Sequence, residues 1–147
     1  MVIQLAHHDD IDGMCHLLSV LFAQEIEFTP NIPAQKKGLQ TILDTPLLGQ
    51  LFVAKEEGRI IGMVNLLWSI STALGEKVAW LEDVVVLPEY RSQGVGAALI
   101  AYALKNAKES GCKRITLLTD GNNEKAQAFY RRFGFEISTM QPMRIIL

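Results

Sequence analysis

Apolar positions repeat with two different periods along the chain, and the change of period separates predicted helices from predicted strands. Near the N-terminus, apolar residues recur at intervals of three and four, which predicts an amphipathic helix. These residues are Ile11, Met14, Cys15, Leu18, Leu21 and Phe22. A weaker helical pattern follows between Pro33 and Pro46. It lies inside residues 24–48, where the pattern says least about structure.

Runs rich in β-branched and other apolar residues predict seven strands. They are Val2–Leu5, Leu51–Lys55, Arg59–Ile70, Lys77–Leu87, Arg114–Thr119, Phe135–Met140 and Met143–Leu147. Two further helices are predicted, one starting at Gly94 and Gly96 and one carrying the apolar stripe of Ala126 to Phe133. The order β-α-α-β-β-β-α-β-α-β-β indicates an α/β (α+β) fold. We expect a single domain over residues 1–147, with one mixed, mostly antiparallel sheet of about six to seven strands and helices on both faces.

Composition narrows the classes of partner. The net charge is −2 and the pI is about 5.9, so no basic field favours nucleic acid or an anionic membrane. No apolar run approaches the roughly 20 residues of a membrane span, and no signal peptide is recognisable at the N-terminus. A cytoplasmic location is therefore expected. The acidic and histidine residues of His7 to Asp12 favour a solvated turn that caps a helix over a metal site, and Cys15 and Cys112 are expected to be free thiols.

The segment Trp80–Ser110 runs from an apolar strand through a short loop into a helix. Glycines at 94 and 96 lack a Cβ, so backbone N–H groups at the helix start can approach a phosphate. A dinucleotide fingerprint would need a third glycine where Leu99 stands, and a Walker A loop would need a lysine that is absent. On spacing alone, a phosphate loop and a simple tight turn both remain open.

At these residues the chain resembles the GNAT superfamily of acyl-CoA-dependent N-acetyltransferases. Arg91, Gly94 and Gly96 match its loop pattern Arg/Gln-x-x-Gly-x-Gly/Ala. A second motif, Asn-x-x-Ala-x-x-x-Tyr-x-x-x-Gly-Phe, is matched by Asn123, Ala126, Tyr130, Gly134 and Phe135. The resemblance is strong over residues 77–137 and only topological over the first 75 residues.

The resemblance implies a site for acetyl-CoA, the acyl-donor cosubstrate, and no metal. The pyrophosphate would lie on the N–H groups of the loop and the pantetheine along the preceding strand. That strand and the next would splay apart, and a backbone N–H there would serve as the oxyanion donor. The residues implied to bind are Val84, Val85, Val86, Arg91, Ser92, Gln93, Gly94, Val95, Gly96, Ala97, Asn123, Ala126 and Tyr130. For Asn123, capping of the later helix is the alternative.

The resemblance also implies roles in catalysis. Tyr130 matches the general acid that serves the leaving thiolate, although it could simply pack with Phe129 and Phe133. An acid on the strand before the loop would deprotonate the amine. Glu82 is favoured, Asp83 is the second choice and Asp120 the third, with water as the remaining possibility. By the period of two, Glu82 and Asp83 are expected to point to opposite faces.

The predicted function is transfer of an acetyl group from acetyl-CoA to a primary amine by direct attack in a ternary complex. The alternative is a non-catalytic acyl-CoA-binding sensor of the same fold. The acceptor stays open, from small amines to a peptide or protein amine, although Glu25, Glu27 and Glu82 would suit a cationic one. A monomer or a homodimer is expected, with Met143–Leu147 able to pair between subunits.

Overall fold

The computed structural model describes all 147 residues and contains nine main elements. In chain order they are β1 (Val2–Leu5), α1 (Ile11–Gln24), α2 (Ile32–Asp44), β2 (Gly49–Glu56), β3 (Arg59–Ser71), β4 (Glu76–Val86), α3 (Val95–Glu109), β5 (Ile115–Leu117) and α4 (Glu124–Arg131). The strands form one sheet in the order β1-β2-β3-β4-β5. Neighbours are antiparallel except β4 and β5, which are parallel. The mixed, mostly antiparallel architecture is thus confirmed.

The sheet is covered on both faces at its centre. Ile61 to Leu66 of β3 are buried without a break, whereas a strand with one wet face would alternate. Helix α3 buries Val95, Leu99, Ala103 and Ala107, which recur every four residues and so form one stripe. Helix α1 buries a matching stripe around Met14 and Leu18. One apolar core therefore runs through the helices and the sheet.

Helix α2 forms in the region whose pattern was weakest. Its start is fixed locally: the Asn31 side chain accepts a hydrogen bond from the backbone N–H of Ala34 at 3.1 Å, and Pro33 lies in the first turn, where a missing N–H costs nothing. Leu39 and Gln35 are its buried residues. This helix packs beside α1, with α1 against β3 and β4 and α2 against β2.

The two closing strands predicted at Phe135–Met140 and Met143–Leu147 are wrong. Residues 132–147 contain no strand, and the sheet has five strands instead of six or seven. Side chains in this segment are largely exposed, for example Met143 at 96% and Ile146 at 84%. Their composition suits a strand, but neither a partner strand nor a face to pack on is present. Arg144 makes an ion pair with Glu27.

None of the four helices combines the length and the apolar character that a membrane span requires.

Candidate functional site

A bulge interrupts strand β4 at the position of its two acids. Met63 pairs with Val85, yet Asn65 pairs with Glu82. Two residues of β4, Asp83 and Val84, therefore face one residue of β3. Asp83 takes a φ of 53°, a left-handed conformation that is uncommon for residues with a side chain. The bulge breaks the period of two on which the opposite-faces expectation rested.

The bulge separates the environments of the two acids. Glu82 is exposed, whereas Asp83 lines a cavity of about 280 Å³. We call this the helix cavity, because α1, α2 and the segment between them form its walls. Its apolar lining consists of Leu18, Phe22, Phe28, Ala34, Leu39 and Ile42. Asn65 of β3 and Asp83 form its floor.

The carboxyl group of Asp83 has a pKa well above the usual value for aspartate. Burial is the main cause, and the nearby carboxylates of Glu82 and Glu25 act in the same direction; together they raise its pKa from 3.8 to about 7. Its Oδ2 accepts a hydrogen bond from Asn65 Nδ2 at 2.5 Å. A carboxyl group with a pKa of about 7 can exchange protons at neutral pH, as a general base requires.

Asp120, the third candidate acid, lines neither this cavity nor the one described below. It does influence Glu25: burial raises the pKa of Glu25, and the charges of Asp120 and Glu27 add to that effect. The acids thus make the neighbourhood of the helix cavity electrostatically negative.

The loop between β4 and α3 is organised by its own hydrogen bonds. Arg91 Nε donates to the carbonyl oxygen of Val86 at 3.0 Å, and Gln93 Nε2 donates to that of Glu89 at 2.8 Å. Gly94 caps α3 with a φ of 85°, a conformation that glycine adopts without strain.

The helical ladder of α3 begins where the Ala98 N–H donates to the Gly94 carbonyl oxygen at 3.0 Å. The N–H groups of residues 95–97 therefore have no partner within the helix. Together with the helix dipole they form a place for an anionic group.

A second cavity of about 740 Å³ opens beside this loop, between β4, the start of α3 and α4. We call it the loop cavity. Eleven of the thirteen residues implied to bind the cosubstrate line it, and they are Val84, Val85, Val86, Arg91, Ser92, Gly94, Gly96, Ala97, Asn123, Ala126 and Tyr130. The other two do not: Val95 is buried in the core, and the Gln93 side chain is bound back to Glu89.

Tyr130 and Asn123 bring α4 to the loop cavity. Burial raises the pKa of Tyr130 to about 12, so its phenol is protonated throughout the neutral range. Its ring packs edge-on against Phe129 and Phe135, with centroids 5.2 and 5.9 Å away. Asn123 Oδ1 accepts a hydrogen bond from the Ala126 N–H at 3.1 Å, so this residue caps α4 while it lines the cavity.

The two cavities meet on β4, since Asp83 lines one and Val84 the other. The edge of β4 that faces β5 is open at this point, because β5 pairs only with Ala79–Leu81. The backbone of Val84–Val86 and the start of α3 therefore border the same cavity.

Sequence reasoning missed several residues of these cavities. Asn65 belongs to no motif, and its role depends on the register of β3 against β4. Lys125 and Arg132 also line the loop cavity and offer positive charge. Their spacing relative to Tyr130, in and directly after α4, could have indicated them. No group of three or more His, Cys, Asp or Glu side chains is arranged to hold a metal ion.

Known proteins share both sequence and fold with this chain. Residues 16–135 match the sequence profile of the acetyltransferase (GNAT) family. A glucosamine 6-phosphate N-acetyltransferase of Trypanosoma brucei brucei is 34% identical over 102 residues, covering 69% of this chain and 67% of that protein. The uncharacterized N-acetyltransferase YhfO of Bacillus subtilis (strain 168) is 33% identical over 89 residues, covering 60% of each. The matches thus span 60% to 67% of the length of these two relatives.

Among solved structures, an acetyltransferase of Trypanosoma brucei superposes on this chain with a TM-score of 0.77. The two are 28% identical in sequence, and the match covers 99% of both chains.

Proposed function

Since the chain belongs to the acetyltransferase (GNAT) family, we propose that it transfers an acetyl group from acetyl-CoA to a primary amine by direct attack in a ternary complex. The observation that carries this proposal is the junction of the two cavities at Asp83 and Val84. A donor bound in the loop cavity and an acceptor bound in the helix cavity would meet there without a covalent enzyme intermediate.

In the donor half of the site, acetyl-CoA supplies a thioester carbon that an amine can attack. The free N–H groups of residues 95–97 are proposed to bind its pyrophosphate, supported by Arg91 and by the positive charges of Lys125 and Arg132. Backbone groups of Val84–Val86 would hold the pantetheine in an extended conformation. A backbone N–H on the same edge is the proposed donor to the thioester oxygen as negative charge develops on it.

In the acceptor half, Asp83 is the proposed base, in place of the sequence-based preference for Glu82. The reaction forms a bond between the amine nitrogen and the acetyl carbon and breaks the carbon–sulfur bond. Asp83 would accept the proton that the nitrogen loses. Its pKa of about 7 leaves a large fraction ionised at neutral pH while keeping it basic enough to act. Exposed Glu82 lacks both the position in a cavity and the burial.

Tyr130 is proposed to stabilise the leaving thiolate by donating a hydrogen bond. A phenol with a pKa of about 12 transfers its proton fully to a thiolate, whose conjugate acid has a pKa of about 8.5, only at a cost of roughly 5 kcal/mol. A hydrogen bond avoids that cost and still favours departure of the thiolate. The thiolate then takes up a proton from solvent, and this proton balances the one that the amine released.

The test is release of CoA thiol from acetyl-CoA by the purified protein over a panel of primary amines, with mass spectrometry of the acetylated product. Amine-dependent thiol release together with an acetylated amine is the expected result. Binding of acetyl-CoA without turnover of any amine would contradict the proposal and favour a non-catalytic acyl-CoA sensor.

A further inference from the structure

The polar groups of the helix cavity differ in whether they are free to bind a ligand. Along the α2 wall they are used internally: Asn31 caps the helix, and the Gln35 side chain donates to the Cys15 carbonyl oxygen and to Ser19 Oγ. Gln35 Oε1 in turn accepts from the Asn31 N–H at 2.7 Å. This wall therefore offers a ligand mostly apolar surface.

The floor of the cavity has unused acceptors. Asn65 is 2% exposed, and its Oδ1 is buried with no donor inside the protein. An orphaned buried acceptor is costly unless something binds it. Its neighbour Asp83 brings the carboxyl group, which receives one hydrogen bond from the Asn65 amide. Both residues line the same small cavity, and a primary amine has the N–H groups to satisfy both acceptors.

The charges of the residues in and near the helix cavity limit which groups the rest of the bound amine can carry. No Lys, Arg or His lines the helix cavity, and Asp83 is its one ionisable residue. Glu25 and Glu82 add negative charge near Asp83. A phosphate or carboxylate on the acceptor would therefore lack a partner and be repelled. Leu18, Phe22, Leu39 and Ile42 would instead contact an apolar body.

We propose that the acceptor is a small primary amine with an apolar, anion-free body, and that its nitrogen lies between Asn65 Oδ1 and the Asp83 carboxyl group. Asn65 is then an acceptor-binding residue that orients the amine for attack. This inference rests on the proposed acetyl transfer and adds a substrate class. The proposed acceptor carries no phosphate, unlike the glucosamine 6-phosphate in the name of the Trypanosoma relative.

The first experiment compares kcat/KM for 2-phenylethylamine and glucosamine 6-phosphate, measured by thiol release. We expect the apolar amine to be preferred at least about tenfold, as one uncompensated buried charge requires. Equal or greater turnover of glucosamine 6-phosphate would overturn the inference and leave acetyl transfer intact. Bound acetyl-CoA with no turnover of either amine, or of any other, would overturn both.

The second experiment uses variants in the walls of the helix cavity. A Cβ added at Gly38 meets no atom within 4 Å, and Gly38 lines the cavity, so Gly38→Leu adds apolar bulk at the cavity wall without a clash at its Cβ. We expect the KM for 2-phenylethylamine to rise about tenfold or more while the KM for acetyl-CoA is unchanged. Gln40→Leu, on the same helix but outside the cavity lining, is the matched control.

Asn65→Leu tests the orienting role directly. It keeps the branched shape and the heavy-atom count of the side chain but removes the orphaned acceptor, together with the donor to Asp83, so the KM for the amine should rise while that for acetyl-CoA stays constant. An unchanged amine KM in folded Asn65→Leu would overturn the role of Asn65. Should that variant fail to fold, an unchanged amine KM in Gly38→Leu would by itself overturn placement of the acceptor in the helix cavity.

Discussion

Asp83 owes both the placement of its side chain and its raised pKa to its position in the chain. Its left-handed backbone carries the side chain into the helix cavity, and the burial that follows raises its pKa to about 7. Glu82, one residue earlier, is exposed. Side-chain chemistry alone would not separate the two acids, since both are carboxylates of similar intrinsic pKa.

Asp83→Asn should lower kcat/KM by about 10²- to 10⁴-fold, the usual contribution of a general base. In the unmodified protein, kcat/KM should fall as pH drops through about 7, because the base becomes protonated. The variant should lose that limb of the pH–rate profile. Glu82→Gln is the matched control: removing its charge lowers the pKa of Asp83, so the limb should move to lower pH with activity retained. Loss of the limb in Glu82→Gln alone would contradict the assignment.

The same residue should weaken the fold at high pH. Its pKa is raised on folding, so the folded chain binds the proton more tightly than the unfolded chain. Stability is then full below about pH 4 and falls as pH rises toward 7. Asp83→Asn removes this loss, so at pH 8 it should unfold with a free energy about 2–4 kcal/mol larger. Denaturant titrations at pH 4 and pH 8 measure this, and an equal effect at both values would speak against the linkage.

Tyr130→Phe should separate binding from departure of the thiol. Loss of one hydrogen bond to a charged sulfur corresponds to a decrease of about 10- to 100-fold in kcat. The ring contacts with Phe129 and Phe135 remain, so the KM for acetyl-CoA should change little. Steady-state kinetics in both substrates give the two numbers, and an unchanged kcat would remove Tyr130 from the mechanism.

Among the elements, the loop that starts α3 places a conformational requirement on one of its two glycines. Gly94 needs its left-handed φ of 85° for the chain to turn into the helix. A Cβ on Gly96 would lie 3.6 Å from Phe129 Cζ and 3.7 Å from Val86 Cγ2, which are ordinary contacts. Backbone conformation therefore requires glycine at position 94, and neither conformation nor packing within the protein requires it at position 96.

Gly94→Ala should cost about 1–2 kcal/mol of strain and raise the KM for acetyl-CoA by about tenfold, because the loop can relax only by moving its N–H groups. Gly96→Ala should be neutral or stabilise α3 by up to about 1 kcal/mol with a similar KM. Thermal unfolding and KM for both variants check this. The opposite ranking would show that contact with the ligand, and not backbone conformation, fixes the motif.

Across the whole molecule, the close pairing of β2 with β3 holds the strand whose Asn65 forms part of the floor of the helix cavity. A Cβ at Gly49 would lie 2.2 Å from the carbonyl oxygen of Leu66, a backbone atom one residue from Asn65. Gly49→Ala should thus force the strands apart and cost about 1–3 kcal/mol, or roughly 3–10 °C in Tm. Gly38→Ala, a methyl added to open space on a helix, should instead stabilise by about 1 kcal/mol. Calorimetry showing no loss for Gly49→Ala would contradict the close approach.

The loop cavity, which is the proposed donor half of the site, could be predicted from the sequence because it is built locally. The loop glycines, Arg91 and Tyr130 lie in contiguous motifs whose spacing follows from a strand, a turn and a helix. Eleven of the implied residues line one cavity for that reason.

The acceptor half could not be predicted in this way. Asn65 and Asp83 come together only through the register of two strands, and no local pattern encodes the bulge. The prediction of two closing strands was wrong for the converse reason. Residues such as Ile145 and Ile146 have strand propensity, but pairing needs a partner that the chain does not supply.

The division of the two cavities along β4 has a consequence for how this chain can diversify. Residues 11–44 provide the walls of the helix cavity, and residues 84–132 line the loop cavity. Under the proposed acetyl transfer, recombination between relatives upstream of β2 would exchange acceptor preference while keeping the acyl donor unchanged. Every such chimera would have to preserve the bulge at Asp83, where the two cavities meet.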